Sequence, residues 1–413
     1  APTTQEVNFI SGVAQSYLAS LKLVLGARGA KEREAALRHI IALHSNFNFA
    51  RKAWKASWDI EDNFVNIGNY KGADSSRFAI SSDMDNLAGR FTDGSGKLVR
   101  LPMRLMTSTD ALIQAPNIIA GATFEAFNEG TNRGLQGDKL NKFIKGHVDS
   151  ILQYYAENGK TPIEDISKSL PSEFQDELSQ IDFDPSITGK ILRQGQEFAK
   201  TITFTQDIRR DDFIGRQASN FNQFVNANPL ARFYFAFTKA PTNILKSNAR
   251  LLPIINEPTI LGKSNPINDV LLPEIRNDLL SRDPLIAQQT RGELMLSRGL
   301  AMLIGGIAVN YRQKTNEEGY IPPVILTGGG PDFMKPEGAA MWKAQWKNGW
   351  SPYSVGRLQY NDDGEPLIGE DGEPVYEYDS YEYLPEPIAG YMRLMVDFVN
   401  ACLLYTSPSP RDT

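Results

Sequence analysis

The chain has 413 residues, of which 41% are hydrophobic and 22% are charged, and its formal net charge is −6. These proportions are typical of folded proteins and exclude global disorder. Its single cysteine is Cys402, so residues 1–401 exclude disulfides, thiolate metal sites and a cysteine nucleophile.

The first 58 residues have the periodicity of amphipathic helices and are interrupted at Gly26 and Gly29. Each helix carries one apolar stripe. The stripes consist of Phe9, Val13, Tyr17, Leu21 and Val24 on the first helix, and of Leu37, Ile40, Ile41, His44 and Phe47 on the second. Residues 1–89 are predicted to form an N-terminal helical region that includes a loop at 66–82. The chain starts without Met, and we expect this region to be truncated at its start.

Residues 90–253 are predicted to form a central helical region with a short β-hairpin at its start. The β-hairpin is predicted over 91–102, where the sequence DGSG supplies the turn. A helix is expected to follow with Pro116 in its first turn, and another covers 138–159. Shorter helices are predicted within 161–181. The apolar face of the 138–159 helix consists of Leu140, Phe143, Ile144, Val148, Ile151, Leu152 and Tyr155.

A proline-rich linker and a helical hairpin are predicted over 254–319. The linker sequence contains three prolines within LLPIINEPTILGKSNP, and the two helices are predicted near 267–281 and 284–314. This region therefore separates the central helices from a C-terminal part of different composition.

Residues 320–401 are rich in Pro, Gly and Tyr, and they contain the sequence DGEP twice, at 363–366 and 371–374. We interpret these two copies as successive turns of a small β-meander, followed by a closing helix. Residues 361–386 contain ten acidic residues and no basic one, which favours a solvated face. The fold class predicted from all regions is mainly α, as an elongated or multi-lobed helical assembly with this β-meander near the C-terminus.

The last segment has a different origin in our interpretation. Back-translation of residues 402–412 resembles the adapter of a transposase-based sequencing library, so we interpret 402–413 as an adapter-derived artefact. We expect this segment to be extended and exposed, and we expect the natural sequence to depart from it after Ala401.

The apolar stretch 299–311 is a candidate surface for self-association or membrane contact. Thirteen residues of helix rise about 20 Å, which is less than the roughly 30 Å hydrocarbon core of a membrane. Two glycines permit close helix packing, and several copies together tolerate the short length. The candidate residues are Leu303, Ile304, Gly305, Gly306 and Ile307. The alternative is a helix buried inside one soluble domain.

Residues 200–250 combine basic and aromatic side chains, which suits contact with nucleic-acid phosphates and stacking on bases. The candidate contacts are Arg209, Arg210, Arg216, Arg232, Lys239 and Lys246. The alternative is that the phenylalanines of this segment are core residues and the basic side chains coat the opposite faces of the same helices.

Sequence motifs of catalysis are missing, including nucleophile elbows, zinc-protease motifs and phosphate-binding loops. Glu125 and Glu129 share a helical face and could imitate the carboxylate pair of a glycosidase. His39 and His44 are five positions apart, which is wrong for metal ligands on one helix face, so we predict surface or capping histidines. The sequence GGGP at 328–331 is predicted to be a plain turn. We therefore predict no enzyme activity, catalytic residue, metal, cofactor or small-molecule substrate.

Five stretches, in order, resemble a known family. They are RLPMRLMTSTDALI (100–113), ARFYFAFTKAPTNILKSNARLLP (231–253), VILTGGGP (324–331), WKNGWSPYSV (346–355) and YEYLPEPIAGYMRLMVDF (381–398). This set is similar to the large polyvalent-protein-associated region of internal virion and DNA-ejection proteins of tailed bacteriophages. The resemblance covers roughly residues 90–400. Its common Thr-Pro-x-Asn pattern is replaced here by Ala240-Pro241-Thr242-Asn243.

The resemblance implies a structural protein of the virion interior that is ejected into the host with the genome and assembles at the cell envelope. Its implied partners are other virion proteins, further copies of itself, phage DNA and the host envelope membrane. Two alternatives remain: a nucleic-acid-binding module that uses 200–250, and a non-catalytic part of a larger peptidoglycan-degrading virion protein. The family supplies no catalytic residues for this region.

Overall fold

The computed structural model of the chain is mainly α-helical with a small antiparallel sheet near the C-terminus, which confirms the predicted fold class. It describes residues 2–60, 63–66, 87–157, 184–208, 213–227, 239–256, 258–260, 263–314, 321–330, 338–340, 343, 346, 349–369, 372, 374–381, 384 and 388–406.

Thirteen α-helices lie in the part of the chain that the structure describes. They are α1 (Pro2–Leu25), α2 (Ala30–Ser45), α3 (Phe47–Ile60), α4 (Leu87–Asn132), α5 (Gly137–Ala156), α6 (Thr188–Ile202), α7 (Phe213–Ala227), α8 (Lys239–Leu251), α9 (Pro253–Asn256), α10 (Pro266–Leu271), α11 (Glu274–Leu279), α12 (Pro284–Lys314) and α13 (Ile388–Thr406). The strands are β1 (Thr259–Ile260), β2 (Lys263–Ser264), β3 (Val324–Leu326), β4 (Ser354–Leu358) and β5 (Tyr376–Ser380).

The chain divides into two compact units. The first consists of Ala1–Asn243 and Glu274–Glu293, and the second of Ile244–Pro273 and Leu294–Thr413. Helix α12 therefore contributes its first ten residues to one unit and the rest to the other.

Helix α4 is the centre of the first unit and packs against α1, α2, α3, α5 and α6. Its residues from Ala115 to Phe127 are almost all buried, because neighbouring helices cover every side of this segment. Its crossing with α6 is close: a Cβ atom added to Gly195 would lie 2.6 Å from the Ile118 carbonyl oxygen. Only glycine permits that backbone approach without a shift.

The predicted β-hairpin at 91–102 is wrong. Residues 87–132 form the single helix α4, and Pro102 and Pro116 lie inside it rather than at its limits. The DGSG signal is local, and turn propensity is a weak preference that packing of a long helix overrides. Each internal proline removes one backbone hydrogen bond, and the burial of the segment from 111 to 127 offsets that loss.

Helix α5 confirms the prediction for 138–159 almost residue by residue. Leu140, Phe143, Ile144, Ile151 and Tyr155 are all buried against the core of the first unit. The predicted loop at 66–82 lies outside the described residues apart from Asn66, and the short helices predicted within 161–181 lie outside them entirely.

The second unit contains the predicted β-meander. Strands β3, β4 and β5 form an antiparallel sheet in that order, with Gly356 paired with both Ile325 and Tyr378. The first DGEP copy forms a turn as predicted, with Gly364 at a φ angle of 80°, and Gly372 of the second copy has a φ angle of 81°. Asp371 and Glu373 of the second copy lie outside the described residues.

The helices around the linker and the C-terminus differ from prediction. The linker sequence forms the short helix α9 and the strand pair β1–β2 rather than a continuous extended segment. Helix α13 continues to Thr406, so the expectation of an extended tail is wrong for 402–406. The leucines of this stretch favour continuation of a helix. Residues 407–413 lie outside the described part.

Candidate association surface

The first two helices present their apolar stripes outward. Eight large side chains of this region are 38–64% exposed, and we call them the α1–α2 face. They are Phe9, Ile10, Tyr17, Leu21, Val24, Leu37, Ile41 and Phe47, the last at the start of α3. The periodicity therefore predicts these helices correctly, but the apolar stripes point away from the core of this chain.

The register of the helix pair joins the two stripes into one surface. The rings of Tyr17 and His44 are 5.4 Å apart, and Ser20 Oγ lies 3.3 Å from His39 Nδ1. These two contacts fix the antiparallel pairing of α1 and α2. The same register places Leu21 level with Ile41, and Val24 level with Leu37.

The inner side of α1 contains a row of small and polar residues beside the buried Leu18 and Leu23. Gly12, Ser16 and Ser20 recur every fourth residue and face the core, where Ser16 Oγ accepts a hydrogen bond of 2.8 Å from Asn117 Nδ2. A Cβ atom added to Gly12 would lie 2.1 Å from the Ile113 side chain. This small-residue spacing is typical of close helix packing, and it is the sequence signal that reveals which side faces inward.

The end of α1 is fixed against α12 by close backbone contact and by a buried ion pair. A Cβ atom added to Gly292 would lie 1.7 Å from the Lys22 carbonyl oxygen. Lys22 Nζ and Glu293 Oε1 are 2.8 Å apart, and their side chains are 7% and 9% exposed. Gln288 Nε2 also donates a 2.7 Å hydrogen bond to the Leu23 carbonyl oxygen.

His39 lies on the core-facing side of the α1–α2 helix pair, so the prediction that it is a surface or capping residue is wrong. It is 0% exposed and its ring packs edge-on against Phe198 at 5.2 Å. Burial lowers the pKa of His39 to about 3, which keeps the imidazole neutral at neutral pH. His44 is exposed, as predicted.

The apolar stretch 299–311 lies in α12, and part of its surface is open. Met302 and Leu303 are 76% and 60% exposed, so the buried alternative does not hold for them. Among the described residues, no atom lies within 4 Å of a Cβ atom added to Gly305 or Gly306, and a close backbone approach is found at Gly292 instead. The side chains of Ile304 and Ile307 lie outside the described set. No helix among the described residues is long and apolar enough to cross a membrane.

The basic and aromatic segment is only partly described. Phe213, Phe221 and Phe224 on α7 are 47%, 41% and 57% exposed, so the alternative that they are core residues is wrong for these three. The rings of Phe221 and Phe224 stack at 6.4 Å, and Arg216 on the same helix is exposed.

The other basic candidates are placed differently. Lys246 on α8 is buried at 7% exposure and does not belong to an open basic surface. Arg209, Arg210 and Arg232 lie outside the described residues, as does the side chain of Lys239.

The two carboxylates considered as a glycosidase pair have different partners. Glu129 pairs with Arg133 at 3.0 Å, whereas Glu125 is 6% exposed and hydrogen-bonds to Asp283. Asp283 Oδ1 in turn accepts a 2.9 Å hydrogen bond from the Leu285 amide at the start of α12. Burial first, and then the charge of Asp283, raises the pKa of Glu125 to about 9. The arrangement links α4 to the first turn of α12.

The remaining motifs also have internal partners. Gly328 to Gly330 form a loop after β3, as predicted, and the Gly329 amide donates a 3.2 Å hydrogen bond to Asp397 Oδ1. Buried His147 lies 2.8 Å from Thr188 Oγ1. Within the described ranges, no group of three or more His, Cys, Asp or Glu side chains is arranged to hold a metal ion.

No protein-family model, curated protein or solved structure matches this chain. The likeness to the virion-protein region consequently rests on the five ordered sequence stretches quoted above.

Proposed function

We propose that the chain is a structural internal virion protein of a tailed bacteriophage, carried inside the particle and ejected into the host with the genome. It associates with further copies of itself and with other virion proteins, and it assembles at the host cell envelope. The five ordered stretches over roughly 90–400 supply the phage context of this proposal.

The observation that carries the structural role is the α1–α2 face. Isolated exposed apolar residues are common on soluble proteins, but eight large exposed side chains on two paired helices and the start of the third mark an interaction site. The helices beneath it are held by buried polar contacts, so the surface is a fixed feature of the fold and not a loosely packed edge.

The lack of cysteine before residue 402 suits a protein that passes through a narrow phage tail. Such a protein unfolds and refolds during ejection, and disulfides would hinder both steps. The mainly local contacts of a helical fold also favour rapid refolding.

Proteomics of purified particles tests this role directly. Particles of a phage that encodes this chain are treated with protease to remove surface proteins, then opened and analysed by mass spectrometry. We expect peptides from described helices such as α5 and α6 to survive the treatment. Their absence from purified particles, or their loss with protease although capsid-interior proteins survive, would reject the internal location.

Nucleic-acid binding is a second candidate, favoured by the exposed aromatic residues of α7. Phe221 and Phe224 form a stacked pair, and stacking on bases contributes about 1–3 kcal/mol per base. We expect Phe224→Ala to weaken binding of labelled single-stranded DNA in an anisotropy titration, while the exposed Phe47→Ala control leaves it unchanged. Equal affinity of both variants and wild type would exclude α7 as the contact.

A further inference from the structure

We propose that the α1–α2 face binds the same face of a second copy of this chain, an inference that rests on the assembly role proposed above and names its partner. The argument depends on the orientation of two helices, the size of their exposed surface, and its charge.

The orientation of α1 is fixed from inside. Ser16 is hydrogen-bonded to Asn117, and Lys22 is paired with Glu293 in a buried position. Rotating α1 to bury Tyr17 would expose an apolar residue such as Leu23, now 0% exposed, and would break both polar contacts. The apolar stripe therefore remains outward, where a second molecule can cover it.

The size of the surface fits a dimer. Side chains of this kind at 38–64% exposure present on the order of 800 Å² together, which is the share of one partner in a standard interface. It exceeds the largest patch of about 300–600 Å² found on a typical monomer. Phe9, Tyr17 and Phe47 add aromatic side chains, which are enriched in the buried centres of such interfaces.

The charge pattern favours a copy of this chain over a membrane or a nucleic acid. From Asn8 to Leu21, α1 has no charged residue, whereas helices that lie on membranes carry many Lys and Arg. The eight side chains of the face are themselves uncharged, so they do not supply the positive charge that nucleic-acid phosphates need. A neutral apolar partner surface is the one that matches.

The edge of the face is also suited to a symmetric contact. Arg33 and Glu34 lie one helical turn before Leu37 and are both exposed. Glu34 is paired with Arg38 of the same helix at 2.8 Å, so this end of the surface carries charges of both signs. In a twofold arrangement a patch meets itself, so a surface carrying both signs can pair with its own copy without net repulsion.

Sedimentation equilibrium of the full chain over a wide concentration range tests the proposal. We expect a mass that rises with concentration from one chain of 45.9 kDa towards two. Ile41→Asp places a charge at a residue that is 63% exposed in one copy and buried in the dimer. It is expected to raise the dimer dissociation constant by on the order of 30-fold or more. Leu280→Asp is the matched control, because Leu280 is 77% exposed and lies outside the face.

Circular dichroism of each variant checks that the helices persist. If Ile41→Asp unfolds the chain, Leu37→Asn makes the same test without adding a charge. A wild-type chain that is monomeric at every concentration overturns the proposal, and so does a dimer that all variants form equally. Flotation of a monomeric wild type with neutral or anionic vesicles, lost in Ile41→Asp, also overturns it in favour of lipid.

The two proposals fail separately. A monomer that is found inside purified particles rejects this interface and leaves the virion role standing. A dimer that depends on Ile41 but is absent from the particles supports the interface and rejects the virion role.

Discussion

Lys22 and Glu293 form an ion pair that is almost completely removed from water. Both charges lose their hydration on folding, and their attraction offsets that loss only while both are present. The pair therefore stabilises the contact between α1 and α12 only slightly by net attraction. Its main effect is that removal of either charge would leave the other charge buried without its ion-pair partner, which costs free energy.

We predict that Lys22→Met lowers the free energy of unfolding by about 3–5 kcal/mol, since it removes the positive charge that is paired with the buried carboxylate of Glu293. The double variant Lys22→Met, Glu293→Leu is expected to regain most of that stability. Glu197→Gln, which removes the exposed pair of Glu197 with Lys200, serves as the control and is expected to cost less than about 0.5 kcal/mol. Urea unfolding measures all three. A double variant no more stable than Lys22→Met would contradict this explanation.

The raised pKa of Glu125 predicts that the stability of the protein depends on pH. Its pKa is raised from 4.5 to about 9, so the native state holds a proton that the unfolded chain releases. This stabilising contribution is complete below pH 4.5 and is lost as the pH rises through about 9. Glu125→Gln cannot ionise, and we expect its unfolding free energy to fall less steeply over that range. Urea titrations at several pH values compare the slopes; parallel profiles would show that Glu125 is ionised in the native state.

At the scale of elements, contacts between helices depend on individual glycines. Gly292 and Gly299 are seven positions apart on α12. A Cβ atom added to Gly292 would meet the backbone of α1, whereas one added to Gly299 would meet no atom of the described residues within 4 Å. We predict that Gly292→Ala destabilises the protein by about 3 kcal/mol or more through overpacking. Gly299→Ala is expected to stabilise it by about 0.5–1 kcal/mol through helix propensity.

Calorimetric melting of the two glycine variants provides the comparison. Both variants carry a Gly→Ala substitution in the same helix. A difference between their melting temperatures therefore reports packing and not helix propensity. Equal melting temperatures would mean that α1 and α12 are not in backbone contact at Gly292.

Sequence signals that are local in the chain predicted several elements correctly. The first DGEP turn and the limits of α12 follow from residues that are adjacent in the chain. The prediction of a β-hairpin at 91–102 failed because its turn signal was stronger than any local sign of a 46-residue helix. The outward stripe of α1 was not predictable from apolar periodicity, since that pattern marks a face without saying what covers it.

At the scale of the whole molecule, the buried contacts between charged residues of the first unit join residues that are far apart in sequence. Lys22 pairs with Glu293, and Glu125 with Asp283, although no motif connects either pair. A single sequence gives no information about such pairings. The resulting molecule has a helical first unit, in which α1 buries small, polar and apolar residues on its inner side and exposes an apolar stripe, and a second unit with a β-meander.

Hydroxyl-radical footprinting at low and high protein concentration tests most directly whether the α1–α2 face is open in the single chain and covered on association. We predict that Tyr17 and Phe47, which are 46% and 64% exposed, are oxidised in dilute solution and protected in concentrated solution. Buried Tyr154 is the internal reference for protection, and exposed Phe224 the reference for continued reaction. Oxidation of Tyr17 and Phe47 as slow as that of Tyr154 in dilute solution, or unchanged at high concentration, would contradict the account.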